Sequence, residues 1–185
     1  ALLRAVAEWL CDHGVSHITL ADSPGGVYTA ASLRHTYAAC GLDSLADVLM
    51  LNTDTACGEK GGFTLFQPVL DADLIIDCAK LKTHGLTAMS GAVKNLFGCI
   101  PGLKKPEWHC ARPTLDGFAR LLLDLCETVK PRVALLDAID CMEGNGPGGG
   151  TVRHMGVTLA SRSPYAVDEL AAQLMGMSPA LAPVL

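Results

Sequence analysis

The sequence predicts an α/β fold: a mostly parallel sheet flanked by helices on both faces, in Rossmann-like layers. Three observations predict it. Short apolar runs alternate with longer amphipathic stretches, the order that parallel strands and crossover helices impose. Aromatic residues make up only 5% of the chain while Ala, Leu, Val and Gly dominate, which suits α/β layers better than a β-sandwich. Several apolar runs end in Gly-rich or charged loops, where an open α/β sheet places its ligand.

The elements follow in order. Leu3, Val6, Trp9 and Leu10 share one face of a helix over 2–13 that Gly14 stops. A strand at about His17–Ala21 leads into a turn, Asp22–Gly26, and Thr29 caps a helix reaching about Cys40. Val48–Leu51 and Leu74–Cys78 read as buried strands, with a turn at Cys57–Gly62 and an edge strand at Phe63–Phe66 between them. Ser90–Phe97 is a short helix ending at Gly98. Thr114 caps a longer one, with Leu115, Phe118, Leu121, Leu122 and Leu125 on one face and Pro131 as its stop. Val133–Leu136 is a strand, Met142–Thr151 a Gly-rich loop, and Gly156–Ala160 another strand. Ser163-Pro164 opens the last helix, which runs to Gly176. In a parallel sheet the loops at Asp22, Lys80 and Asp137 would lie along one edge.

A chain of 185 residues buries a real core, and a single domain over 1–185 is expected. Both ends read as cut. Ala1 opens inside an amphipathic pattern, and Pro183–Leu185 ends a Pro-rich tail with no closing element, as in a fragment of a longer protein.

Composition excludes several classes. Half of the residues are hydrophobic, yet no stretch approaches ~20 consecutive apolar residues, so no spanning helix and no membrane partner are expected. A net charge of −5 argues against a general nucleic-acid binder, which needs a basic face. The eight cysteines stand singly with no C-x-x-C pair, so zinc-ribbon and iron–sulfur ligation have no support in this stretch. Most of them read as reduced core thiols of a cytoplasmic protein, with Cys99 and Cys110, which flank the one strongly basic segment, as the exceptions.

That segment, Lys80–His109, concentrates Lys80, Lys82, His84, Lys94, Lys104 and Lys105 in an acidic chain. Lys80, Lys82 and His84 alternate along an extended strand end and share one side, with Thr83 between them. Lys94 and Asn95 follow on the next helical turn, and interleaved Leu81, Leu86, Val93, Leu96 and Phe97 imply partial burial. So many donors suit a carboxylate or phosphate, and a desolvated lysine also serves as base or covalent anchor. A solvated basic loop is the plain alternative. His84 and His109 suit an acid–base pair, metal ligation (His109 above all) or a structural role.

Two further loops carry candidates. Asp22, Ser23, Gly25 and Gly26 sit where a strand turns into a helix, offering backbone N–H groups to an anion, or simply forming a tight turn. Neither standard nucleotide fingerprint is present. Glu143 and Asn145 lie in a loop, Glu143–Gly150, whose glycine content suits a lid or an anion-cradling nest as well as a surface connector. Asp137, Asp140 and Glu143 offer an acid, a base or hard-cation ligands. Asp168 lies early in the last helix, where its charge favours the helix dipole.

These stretches together resemble the family called domain of unknown function 362. The likeness rests on K-L-K-T-H (Lys80–His84), S-G-A-V-K-N-L-F-G-C-I-P-G (Ser90–Gly102) with His109, M-E-G-N-G-P (Met142–Pro147), S-R-S-P-Y-A-V-D (Ser161–Asp168) and D-S-P-G-G (Asp22–Gly26). It implies an association with ferredoxin-type iron–sulfur modules outside this domain. A fainter likeness, in Ser90-Gly91-Ala92-Val93-Lys94, Pro101-Gly102 and His109, is to the nickel-pincer lactate racemases. That likeness implies Lys94 as a cofactor anchor and His109 as a metal ligand.

The expected function is a basic cleft for a small anionic substrate or cofactor, in a metal- or cofactor-dependent enzyme linked to an iron–sulfur module. Lys80, Lys82 and Lys94 hold the anion, His84 and His109 do acid–base or metal work, and Asp22 and Glu143 complete the site. Two alternatives stand beside it: a non-catalytic module docking an acidic partner, and a racemase or epimerase with a lysine-tethered cofactor.

Overall fold

The computed structural model describes residues 1–178. The tail Pro183–Leu185 lies outside them. The chain forms two compact units, Ala1–Ala72 with Gly98–Pro106, and Asp73–Phe97 with the chain from Glu107 onward.

In the first unit, α1 (Leu2–Asp12) is followed by β1 (Thr19–Leu20), α2 (Ala30–Ala39), a 3₁₀ turn (Leu42–Leu45) and β2 (Met50–Leu51). Strands β1 and β2 pair in parallel. Thr29 caps α2 as expected: its Oγ1 accepts from the Ser32 N–H, while Ser32 Oγ accepts from the Thr29 N–H in return. The helix buries Leu33 and Tyr37, and the Tyr37 hydroxyl donates to the Asn52 carbonyl at 2.8 Å. Arg4 on α1 holds the Asp47 carboxylate and the Ser44 carbonyl. The turn expected over Cys57–Gly62 is mostly strand. Strands β3 (Cys57–Lys60) and β4 (Phe63–Phe66) form a hairpin around Gly61 and Gly62, both at positive φ, as a two-residue hairpin turn requires. A short α3 (Gln67–Asp71) closes this part.

The second unit is built on four strands, β5 (Ile76–His84), β6 (Ala88–Ser90), β7 (Val133–Glu143) and β8 (Thr151–Ser161), in the order β6-β5-β7-β8. Between β6 and β7 come α4 (Ala92–Asn95), a 3₁₀ turn (Leu96–Cys99), α5 (Lys104–Ala111) and α6 (Leu115–Val129); α7 (Pro164–Leu174) follows β8. Within this sheet β5 and β7 are parallel, while β5/β6 and β7/β8 are antiparallel. The mostly parallel, Rossmann-like sheet is therefore corrected to a mixed one. The reason is connection length: helices join β6 to β7 and permit a parallel return to β5, but the loop 144–150 joins β7 to β8 directly, and so short a link allows only a hairpin.

Ala79, Leu81, Ala134, Leu136 and Ala138 form one buried face of the sheet, covered by Ala92 of α4 and by Val167, Ala171 and Ala172 of α7. On the opposite face of β8, Thr158 and Ala160 are exposed, so helices on both faces are not observed along this strand. Lys80 and Asp137, expected in loops at a sheet edge, stand mid-strand as direct neighbours in register. The sheet is irregular just beyond them, with register shifts between Lys80 and Lys82 and between Ala138 and Asp140.

Helix α6 begins as read, with Thr114 Oγ1 accepting from the Gly117 N–H at 3.1 Å, and buries Phe118, Leu121, Leu122 and Leu125. Helix α4 starts differently. Its first turn is capped from outside by Asp168, whose carboxylate accepts the N–H groups of Ala92 at 2.5 Å and Val93 at 2.9 Å. Asp168 is 0% exposed, and Gly91 makes room for it: a Cβ there would overlap the carboxylate.

Gly91→Ala should therefore cost about 2–4 kcal/mol, from overpacking and loss of the cap. Gly148→Ala, where an added Cβ meets nothing within 4 Å, should change stability by less than about 0.5 kcal/mol. Urea denaturation of both variants checks this, and equal effects would contradict the assigned packing.

Candidate functional site

In the second unit, β5, α4 and α5 bring together Lys82, His84, Lys94 and His109. Lys82, His84 and Lys94 are half-buried, and His109 is exposed. His109 stacks on Phe118 (centroids 4.5 Å apart, planes 16° apart) and meets Phe97 edge-on at 5.4 Å. Phe97 and Phe118 pack edge to face at 5.3 Å. The Lys94 ammonium lies 5.6 Å from the Phe97 centroid and 5.7 Å from that of Phe118, within cation–π reach of both. Burial and the neighbouring Lys94, Lys82 and His109 push His84 down to about 4. Desolvation and Lys94 likewise lower His109. Both imidazoles are then neutral at pH 7, beside two ammonium groups.

His84 also shapes the β5–β6 hairpin. Its Nδ1 accepts the N–H of Leu86 at 3.1 Å and of Thr87 at 3.3 Å. Opposite it in register, Ala88 has a positive φ of 63°, an uncommon conformation for a residue with a Cβ.

The other residues singled out from the sequence are placed elsewhere or bound to other partners. Lys80 is exposed and ion-paired with Asp137 at 3.0 Å. Burial works against ionisation of Asp137, but the Ile139 N–H and Lys80 prevail and hold its carboxyl low. Asn95 turns toward β5, its amide donating to Asp77 Oδ1 at 2.6 Å and to the Cys78 carbonyl. Thr83 Oγ1 donates to the Gly144 carbonyl, and a Cβ on Gly146 would strike the Thr83 carbonyl, so the Gly-rich loop packs against β5. Glu143 pairs with Arg153 at 3.0 Å, and Asp140 with His154 at 2.7 Å, both on the surface. Asn145 is exposed in the loop. Among the described residues, no three His, Cys, Asp or Glu side chains group as they would around a metal ion, and His109 has no such companions.

Asp22, Ser23, Gly25 and Gly26 belong to the first unit. The Gly26 N–H bonds the Gly102 carbonyl, the Ser23 N–H bonds Asp22 Oδ1 at 2.7 Å, and Lys105 Nζ donates to the Ser23 carbonyl at 2.5 Å. Gly98 and Gly102 make this closeness possible, since a Cβ on either would strike Asp22 or the backbone of Pro24 and Gly26. The loop is thus fastened by its own chain, and burial lowers Lys105 there.

Three residues that matter were not singled out from the sequence. Phe97 and Phe118 read as core positions, and only the fold makes them the wall behind Lys94 and His109. Asp77 is 4% exposed, and its Oδ2 has no hydrogen-bond partner. Its signal was available: a carboxylate in the middle of the apolar run L-I-I-D-C. Burial raises it to about 7, against the Asn95 hydrogen bond and with help from Asp168. Burial also raises Asp168 to about 6, against the two N–H groups it accepts.

The family model described as "Domain of unknown function (DUF362)" matches residues 1–173. The chain belongs to the DUF362 family. A curated relative, "Thylakoid-associated protein sll1697" of Synechocystis sp. (strain ATCC 27184 / PCC 6803 / Kazusa), is 36% identical over 122 residues, 65% of this chain. The match spans 38% of that relative, well under half of its length. No helix among the described residues is long and apolar enough to cross a membrane.

The raised carboxyls give a pH signature. Asp77 at about 7 and Asp168 at about 6, against 3.8 ordinarily, bind more protons folded than unfolded, so stability falls as pH rises from about 4 to 7. His84 at about 4, against 6.5, has the opposite sign: its contribution is full above 6.5 and is lost as pH falls toward 4. Asp77→Asn leaves Asp168 and His84 to offset each other. Stability by urea titration should therefore fall with pH in the parent, by up to about 1.4 kcal/mol per pH unit, and be nearly flat in the variant. A parallel decline in both would contradict the assignment.

Proposed function

We propose that the second unit of this DUF362 chain binds a small anion between Lys82, His84, Lys94 and His109, with Phe97 and Phe118 packed behind Lys94 and His109. The observation that carries the reading is the crowding of basic groups around His84. Lys94, Lys82 and His109 each disfavour its protonation, and such crowding is relieved when an anion enters. Phe97 and Phe118 are themselves buried and back Lys94 and His109 from behind, while Lys82 and Lys94 are half-buried. Lys80 is left out because it stands mid-strand beside Asp137 and is not among the groups that act on His84.

The reading extends to an enzyme in which His109 is the base. An imidazole kept neutral by desolvation and a nearby ammonium is ready to take a proton from a bound molecule at neutral pH. Iron–sulfur chemistry and a lysine-linked nickel group form no part of the proposal, since none of the geometry above argues for either. An association with thylakoids belongs to the relative by name, and for this chain it enters only as a possible setting for the same anion site.

Isothermal titration with oxalate and with inorganic phosphate tests the reading. Lys82→Ala and Lys94→Ala should each weaken the tighter of the two anions at least about tenfold, or about 1.4 kcal/mol. Lys60→Ala, on the surface of the other unit, should leave affinity unchanged. Circular dichroism confirms that the variants fold. Full affinity in folded Lys94→Ala would show that the anion sits elsewhere, and a docking surface for an acidic partner would then take its place.

A further inference from the structure

We infer that His84 is a fixed, neutral hydrogen-bond donor that holds one oxygen of the bound anion through Nε2–H, and is neither a base nor a metal ligand. The inference rests on the anion-site reading above and assigns a role that the residue type alone leaves open.

The argument turns on which ring nitrogen is occupied. Nδ1 accepts two backbone N–H groups, from Leu86 and Thr87, and an accepting nitrogen carries no proton. The proton of the neutral ring is therefore on Nε2. The contacts are local, within the three-residue turn that closes the β5–β6 hairpin, so they form whenever the hairpin forms. The turn holds Ala88 at a φ of 63°, opposite His84 in register, and losing the Nδ1 acceptor would leave that conformation with less support.

Three roles then separate cleanly. As a base, His84 would have to take a proton at Nδ1, which would turn an acceptor toward two donors into a third donor. The basic groups facing the ring, Lys94 from α4, Lys82 from β5 and His109 from α5, oppose the same step, which agrees with its lowered proton affinity. As an acid, it would have to give up Nε2–H and become an imidazolate, which is out of reach at neutral pH. As a metal ligand through Nε2, it would have to move that proton to Nδ1, the nitrogen a ligating histidine donates from, and Nδ1 here faces two N–H donors. Donation from Nε2–H is what remains.

The guest must accordingly present an unprotonated acceptor oxygen to His84 while its charge is balanced by Lys82 and Lys94. A carboxylate or phosphate oxygen qualifies, and an ammonium or protonated hydroxyl facing the ring does not. Because His84 stays neutral, its contribution to binding does not grow as pH falls from about 8 to 5.5, as that of an ordinary histidine would.

Histidine-selective ¹⁵N NMR of the full chain tests this, with oxalate as the probe. In the free protein, His84 should show a protonated Nε2 and an unprotonated Nδ1 at every pH from about 8 to 5.5. Oxalate should then shift Nε2 and its proton. His84→Asn keeps an acceptor for the Leu86 N–H, as in an Asx turn, but not the Nε2 donor, so it should fold and bind oxalate about tenfold more weakly. An Nδ1–H tautomer, or titration near the ordinary 6.5, overturns the inference even if oxalate binds. Oxalate binding that leaves Nε2 unperturbed, or full affinity in folded His84→Asn, overturns it too. The expected tautomer with no binding of oxalate or phosphate defeats the anion-site reading, and the donor role with it.

Discussion

The Asp168 carboxylate, buried beneath Gly91 and accepting the N–H groups of Ala92 and Val93, is the interaction on which the second unit depends. Helix α4 is only four residues long and has almost no intrinsic stability, because a single helical turn costs more in backbone entropy than its hydrogen bonds return. Its position comes from its ends. Asp168 fixes the first turn from α7, and Asn95 fixes the last by donating to Asp77 and Cys78 of β5. Lys94 lies between these anchors, so the backbone that carries it is held at both ends. Gly91 is required because any side chain there would stand where the carboxylate must be.

The charge pattern follows from the same geometry. Below α4, Asp77 and Asp168 are buried and near each other, and both are pushed toward the neutral form. Beyond α4, Lys82, Lys94, His84 and His109 crowd together, and both histidines are pushed toward neutrality as well. Two groups of like-charged residues thus lie on the elements around α4, and in each the carboxyls or imidazoles are pushed toward their neutral forms. Only the basic group has exposed members, so only there does an ion from solvent have access. This asymmetry is why the proposed anion site is assigned to Lys82, His84, Lys94 and His109.

Most individual elements were legible in the sequence, because their signals are local. Thr29, Thr114 and Ser163 cap the helices they were expected to cap, and Gly61 and Gly62 turn where glycines should, although the strand before them was missed. Topology was less legible. The glycines of 144–150 read equally as a lid, a nest or a surface connector, and nothing local told that they connect β7 to β8 in a hairpin and make the sheet mixed. Strand β6, three residues long, has no periodicity to detect. The site was half legible. The K-L-K-T-H and S-G-A-V-K-N motifs do come together, but Lys80 is claimed by Asp137 and Asn95 by Asp77. Asp168 looked like a complement to its own helix dipole, and only the three-dimensional path shows it capping another helix. Long-range pairs such as Asp168 with Ala92 leave no trace in local spacing.

The central claim is that a small anion settles among Lys82, His84, Lys94 and His109, on the framework that Asp168 holds in place. The most direct test is a chemical-shift map of the uniformly ¹⁵N-labelled chain titrated with oxalate at neutral pH. The account predicts saturable shifts concentrated at residues 82–84, 94–97 and 109, with little change on the exposed face of β8. Shifts scattered over surface lysines without saturation, or concentrated at the Asp22–Gly26 loop instead, would contradict it.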